Sequence, residues 1–166
     1  MARKARLTGL SPRENREVPP LRHDWVHRLK RDMPELTVIL NGGVASAAEV
    51  SSHLEHVDGV MLGRAAYQNP WVLRQCERSL AGSCRTHERS DVVDAMTRYL
   101  RSEIGRGVPA KHISRHMLGL FQGVPGAKSW RRYLTEHAHA EPSDGNLLLR
   151  ALSEMRKLRN LRSAAA

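Results

Sequence analysis

Two kinds of hydrophobic spacing divide this chain, and the change between them falls near residue 89. Before it, short continuous apolar runs alternate with polar, capped segments. Leu36-Thr37-Val38-Ile39-Leu40 and Gly59-Val60-Met61-Leu62 have the length of buried strands, and each ends in glycine: Asn41-Gly42-Gly43 after the first, Gly63-Arg64 after the second. Between them, Ser46 through Leu54 predicts a helix, with Ser46 as cap and Glu49 three residues on in the spacing of a capping box. Asp24 to Asp32 predicts an earlier helix carrying Trp25, Val26 and Leu29 on one side and stopped at Met33-Pro34. Asn69-Pro70 opens another, ended by Gly82-Ser83. The order is therefore strand, glycine loop, helix, strand, glycine loop, helix.

After residue 89 no strand-like run recurs. Val92, Val93, Met96, Tyr99, Leu100 and Ile104 form one helical stripe, closed by Gly105 and Gly107-Val108-Pro109. Further helices are expected from Lys111 to Phe121, from Ala127 to about Ala140 and from Leu147 to Leu161, with a turn at Gly123-Val124-Pro125-Gly126. The expected division is residues 1–88, α/β, followed by 89–166, a small helical bundle. Residues 1 to about 22 are polar and punctuated by Pro12, Pro19 and Pro20, so they are expected to form a long loop or a tail rather than a core element. Two parallel strands do not make a self-sufficient sheet, so the first part is expected to be the end of a larger domain.

Composition adds a polyanionic partner. The 166 residues carry 27 Lys+Arg against 17 Asp+Glu, a formal net charge of +10, which favours nucleic acid. Only seven aromatic residues (three Trp, three Tyr, one Phe) argue against a module that stacks on many bases. No apolar run is long enough to span a membrane. The basic start lacks the apolar segment of a secretory signal. Cys76 and Cys84, the two cysteines, are expected to be free thiols in a reducing cytosol.

Several residues allow a sharp and a bland reading. Asn41-Gly42-Gly43 with Gly63-Arg64 suits a phosphate, because glycine lets the backbone approach an anion; the same residues also serve ordinary turns after strands. Lys128, Arg131, Arg132 and Thr135 recur at three- and four-residue spacing and so share one helix face, which suits a phosphate backbone or is simply a solvated surface. His112 and His116 have metal-ligand spacing but no evident third ligand, and His53 and His56 no better, so both pairs read as structural and no metal is expected. His137 and His139 lie near a helix end, where histidine is favourable.

Longer motifs then point to a family. Ala2-Arg3-Lys4-Ala5 with Gly9-Leu10-Ser11-Pro12-Arg13-Glu14-Asn15-Arg16-Glu17-Val18-Pro19-Pro20-Leu21, the Asn41-Gly42-Gly43 loop, and Asp58 through Pro70 occur in that order. Arg115-His116-Met117-Leu118-Gly119-Leu120-Phe121-Gln122-Gly123-Val124-Pro125-Gly126-Ala127 and Trp130-Arg131-Arg132-Tyr133-Leu134 complete the series. On these residues the chain resembles the C-terminal half of the tRNA-dihydrouridine synthases, specifically the DusA-like subfamily. The resemblance implies the last two strand-helix units of an FMN-binding TIM barrel, followed by a helical tRNA-binding domain. It implies an oxidoreductase that reduces D-loop uridine of tRNA, at positions 20 and 20a, with NADPH recharging the flavin. Asn41, Gly42, Gly43, Gly63 and Arg64 would hold the FMN phosphate. Arg13, Arg16, Lys128, Arg131 and Arg132 would contact tRNA.

The family's catalytic cysteine falls in the half this chain does not match, and neither Cys76 nor Cys84 occupies its position. No catalytic residue is therefore assigned. The isolated chain is expected to be inactive, as a truncated gene product or as one part of a split enzyme with a complementing N-terminal half. The alternative is a non-catalytic tRNA-binding helical module with a vestigial half-barrel.

Overall fold

In the computed structural model the described residues are 11, 21–81, 88–140 and 142–164, with side chains described as far as 157. They fall into two compact units: 21–66 with 72–81, and 67–71 with 88–164. Arg13 and Arg16, the Pro-rich segment around them, the Gly82-Ser83 stop and Cys84 lie outside the described residues.

In the first unit, helix α1 (His23–Asp32) leads to strand β1 (Ile39–Asn41), helix α2 (Ala47–Leu54) and strand β2 (Gly59–Met61). The strands pair in parallel, with Ile39 opposite Gly59, Leu40 opposite Val60 and Asn41 opposite Met61. The ladder is shorter than the apolar run that predicts it, because side chains and turns take its first donors. Val38 N–H donates to Asp58 Oδ2 at 2.8 Å, and Leu36 N–H closes a turn onto Met33 O. One face of the strand pair is dry: Val38, Leu40, Val44, Val50, Val57, Val72 and Cys76 form a buried cluster, with Val26, Leu54 and Val60 against it. The opposite face carries Ile39 and Met61, 62% and 45% exposed.

The capping box of α2 forms as predicted. Glu49 N–H donates to Ser46 Oγ, and Glu49 Oε2 accepts from the N–H groups of Ser46 and Ala45. In α1 the expected apolar side is only partly used. No residue of the helix is fully buried, Trp25 and Leu29 are exposed, and the Arg22 guanidinium lies 4.5 Å over the Trp25 ring.

Beyond β2 a short helix α3 (Arg64–Gln68) precedes α4 (Trp71–Ala81), which begins one residue after Pro70. The second unit comprises α5 (Arg89–Gly105), α6 (Lys111–Ser114), a 3-10 turn (Arg115–Met117), α7 (Ala127–His137) and α8 (Leu147–Ala164). Its centre is Trp130, fully buried with Leu100, Leu134, Leu147 and Leu148. The Trp130 Nε1–H donates to Met117 O at 3.0 Å, and the ring meets Phe121 edge-on at 4.8 Å.

The expected helix from Lys111 to Phe121 is a correction. Regular helix stops at Ser114, and the chain continues as one 3-10 turn and successive tight turns. Their backbone bonds run three residues back: Leu120 to Met117, Gln122 to Gly119, Val124 to Phe121. Gly119 explains why the backbone is so placed: a Cβ there would lie 2.0 Å from Gln68 O. Only glycine admits the 67–71 segment this closely.

Candidate phosphate cradle and basic face

The parallel register brings the two glycine turns to the same end of the strand pair, since Asn41 lies opposite Met61 and each is followed within two residues by glycine. Gly42 and Gly43 adopt φ of +124° and +75°, conformations that disfavour any side chain. His23 fixes this turn. Its Nε2 lies 2.8 Å from Gly42 O; a carbonyl only accepts, so this nitrogen carries the proton. In a trans peptide the following N–H points opposite to the carbonyl, so the Gly43 N–H is aimed away from His23. Leu21 packs against both glycines: an added Cβ would meet its side chain at 3.0 Å from Gly42 and 2.5 Å from Gly43.

Gly63 and Arg64 are exposed, and among the described residues Arg64 has no carboxylate partner. Two left-handed glycines, an amide turned away from His23 and a guanidinium without a carboxylate partner among the described residues suit a phosphate dianion, so the residues present are compatible with the phosphate of a flavin mononucleotide. Asn41 stands with Ile39, Gly59 and Met61 on the open face of the strand pair, at the turn.

Behind the turn the sequence reading missed a histidine cluster shared by α1, α2 and the turn that follows α2. His27 Nε2 lies 3.2 Å from His53 Nδ1. The His23 and His53 rings meet edge-on at 4.8 Å, and His27 and His56 are 4.6 Å apart. Burial first, then neighbouring imidazoles, hold His27 and His53 below the ordinary histidine value, with Glu49 opposing the shift at His53. Histidines at 23 and 27, one helical turn apart, were the available signal; that they face 53 and 56 required the fold. Among the described residues no group of three or more side chains is arranged to hold a metal ion. Cys76 is free and buried, and burial raises its thiol pKa, which keeps it protonated and unreactive.

In the second unit, Lys128, Arg131, Arg132 and Thr135 are all exposed on α7. Arg131 Nη1 donates to Gln122 Oε1 at 3.0 Å, and Thr135 Oγ1 donates to Arg131 O at 2.9 Å. No carboxylate pairs with these cations among the described residues, so their charge faces solvent. His137 is held at the helix end, donating from Nδ1 to Tyr133 O at 2.9 Å and stacked on the Tyr133 ring. Sequence reading also missed Arg89, whose guanidinium lies 4.5 Å over Trp71 while its Nε–H donates to Leu120 O. It lines an open cavity of about 340 Å³ with Trp71, Phe121, Met155 and Arg156.

A strand-helix-strand unit ending in paired glycine turns, followed in the chain by a basic helical unit, places the protein among α/β proteins with an appended all-α module. The chain belongs to the dihydrouridine synthase (Dus) family, whose sequence profile matches residues 2–156. It is 54% identical over 152 residues to the tRNA-dihydrouridine(20/20a) synthase of Escherichia coli K12, covering 91% of this chain and 44% of that protein. Identity to the Shewanella oneidensis MR-1 enzyme of the same name is 53% over 139 residues, covering 83% of this chain and 42% of the relative. For the Yersinia pestis one it is 48% over 153 residues, covering 92% and 44%. The chain thus spans less than half the length of the relatives it matches. No helix among the described residues is long and apolar enough to cross a membrane.

Proposed function

We propose that this chain provides the phosphate end of an FMN site and a tRNA-binding helical unit for NADPH-dependent reduction of D-loop uridine to dihydrouridine. The observation that carries the reading is the pair of glycine turns on adjacent parallel strands, Asn41-Gly42-Gly43 beside Gly63-Arg64, within a chain of this family. Bound FMN supplies the hydride-transfer chemistry. The chain's own part is to hold the phosphate with the Gly43 amide and the Arg64 guanidinium, in a turn that His23 locks. Arg13, Arg16, Lys128, Arg131 and Arg132 serve the tRNA backbone.

The open face of the strand pair supports a larger barrel around these strands. Ile39 and Met61 are apolar and exposed, as strand residues are when the layer that covers them is contributed by another segment. With neither thiol at the catalytic position and Cys76 buried, the isolated chain forms no dihydrouridine. The complementing partner is a segment carrying the other strands and the proton-donating cysteine.

Purified chain incubated with FMN, NADPH and unmodified tRNA is the test. The expected result is no dihydrouridine; turnover by the chain alone overturns the assignment. Flavin retained in a mixture with an N-terminal half of a relative, and reduced by Arg64→Ala, supports the phosphate role of Arg64. Equal retention by the variant removes it.

A further inference from the structure

Arg115, His116 and Tyr67 form a hydrogen-bonded relay on the surface of the second unit. Arg115 Nε lies 3.1 Å from His116 Nε2, and His116 Nδ1 lies 3.1 Å from the Tyr67 hydroxyl. The rings of Tyr67 and His116 meet edge-on at 5.7 Å. All three residues are exposed, Tyr67 to 62%. His116 is one of the pair with metal-ligand spacing, yet its partners are these two residues and not His112.

The donor chemistry fixes the direction of the relay. A guanidinium only donates, so Arg115 Nε–H points at His116 Nε2, which must offer its lone pair. The imidazole is therefore neutral, its proton sits on Nδ1, and that N–H donates to the Tyr67 oxygen. A doubly protonated ring would set two donors and two cations against each other at Nε2. With its oxygen accepting from His116, Tyr67 keeps its own O–H free to donate outward. The terminal Arg115 N–H groups have no carboxylate partner among the described residues. A neutral hinge thus holds two outward donors, one charged and one polarised by the chain of bonds behind it.

We propose that Tyr67 and Arg115, oriented by His116, form a phosphodiester-binding contact for RNA; it rests on the tRNA reading above and adds a specific site to it. A hydroxyl and a guanidinium held at opposite nitrogens of one exposed imidazole suit oxygens along an RNA phosphate backbone. The chain's net charge of +10 favours a polyanion over an isolated anion. His116 is a positioning residue and does not itself touch the RNA. Glutamine can replace it, since the side-chain carbonyl accepts from Arg115 and the amide donates to Tyr67.

Binding of an unmodified tRNA transcript to the full chain and its variants at fixed salt tests this. Tyr67→Phe keeps the ring and removes only the hydroxyl, and should weaken binding about threefold to tenfold, the range one hydrogen bond commands. Arg115→Gln and His116→Ala should lose as much or more, while His116→Gln stays within about twofold of wild type. Nitrogen-15 NMR of His116 should show the Nδ1-protonated neutral tautomer. If wild type binds and Tyr67→Phe binds equally well, the contact is refuted while the tRNA reading stands. If wild type does not bind, the tRNA reading falls and the contact with it. An Nε2-protonated ring, or His116→Gln as weak as His116→Ala, refutes the relay.

Discussion

Replacing Trp130 by alanine should remove a large share of the helical unit's stability. The ring is completely buried among Leu100, Leu134, Leu147 and Leu148, a setting in which loss of an aromatic side chain costs about 3–5 kcal/mol. The indole N–H to Met117 O bond goes with it. Met117 O keeps a second donor, the Leu120 N–H at 3.1 Å, so the carbonyl is not orphaned and the extra loss is only about 1 kcal/mol. The total, about 4–6 kcal/mol, compares with a whole-domain stability of about 5–15 kcal/mol. Urea unfolding followed by far-ultraviolet circular dichroism reads the loss, because the helices dominate that signal and it does not need the deleted fluorophore. Trp130→Phe should sit well above Trp130→Ala, since it preserves an edge-on contact with Phe121. A Trp130→Ala loss within about 0.5 kcal/mol, the scale of surface substitutions, would refute the buried placement of this ring.

Gly43→Ala should destabilise the first unit by about 1–2 kcal/mol, because φ is +75° there and the new methyl meets Leu21; thermal unfolding measures it. Ser46→Ala should cost about 1 kcal/mol through loss of the α2 cap, read by the same melt. His27 and His53 are held below the ordinary histidine value, so the unfolded chain takes up their protons first. Stability is full above about pH 6.5 and falls as pH drops from there through the lower folded values. Melts of His27→Gln and His53→Gln across pH 5–8 should show a flatter dependence; slopes equal to wild type would contradict the cluster.

Much of the α/β half was legible because its signals are local. Ser46 and Glu49 announced a capping box by spacing alone, and the Gly42-Gly43 pair announced a turn that needs left-handed backbone. What failed was set by distant contacts. A helix is expected over 111–121, but regular helix ends at Ser114, and beyond it Gly119 passes against Gln68 within a run of tight turns. The His116 role was invisible for the same reason, since Tyr67 is far away in sequence. The His53/His56 pair reads as structural from spacing alone, and its contact with His23 and His27 exists only in the fold. Arg89 offered no motif at all; its stacking on Trp71 exists only in the fold.

The central proposal is that this chain presents a cationic tRNA-binding surface. Its most direct test is the affinity of the chain for an unmodified tRNA transcript as a function of salt. The account predicts an affinity that falls steeply and linearly with the logarithm of salt concentration, with a slope reduced by about 1 for each of Arg131→Ala and Arg132→Ala. A salt-independent affinity, slopes unchanged by both substitutions, or no binding at low salt would contradict it.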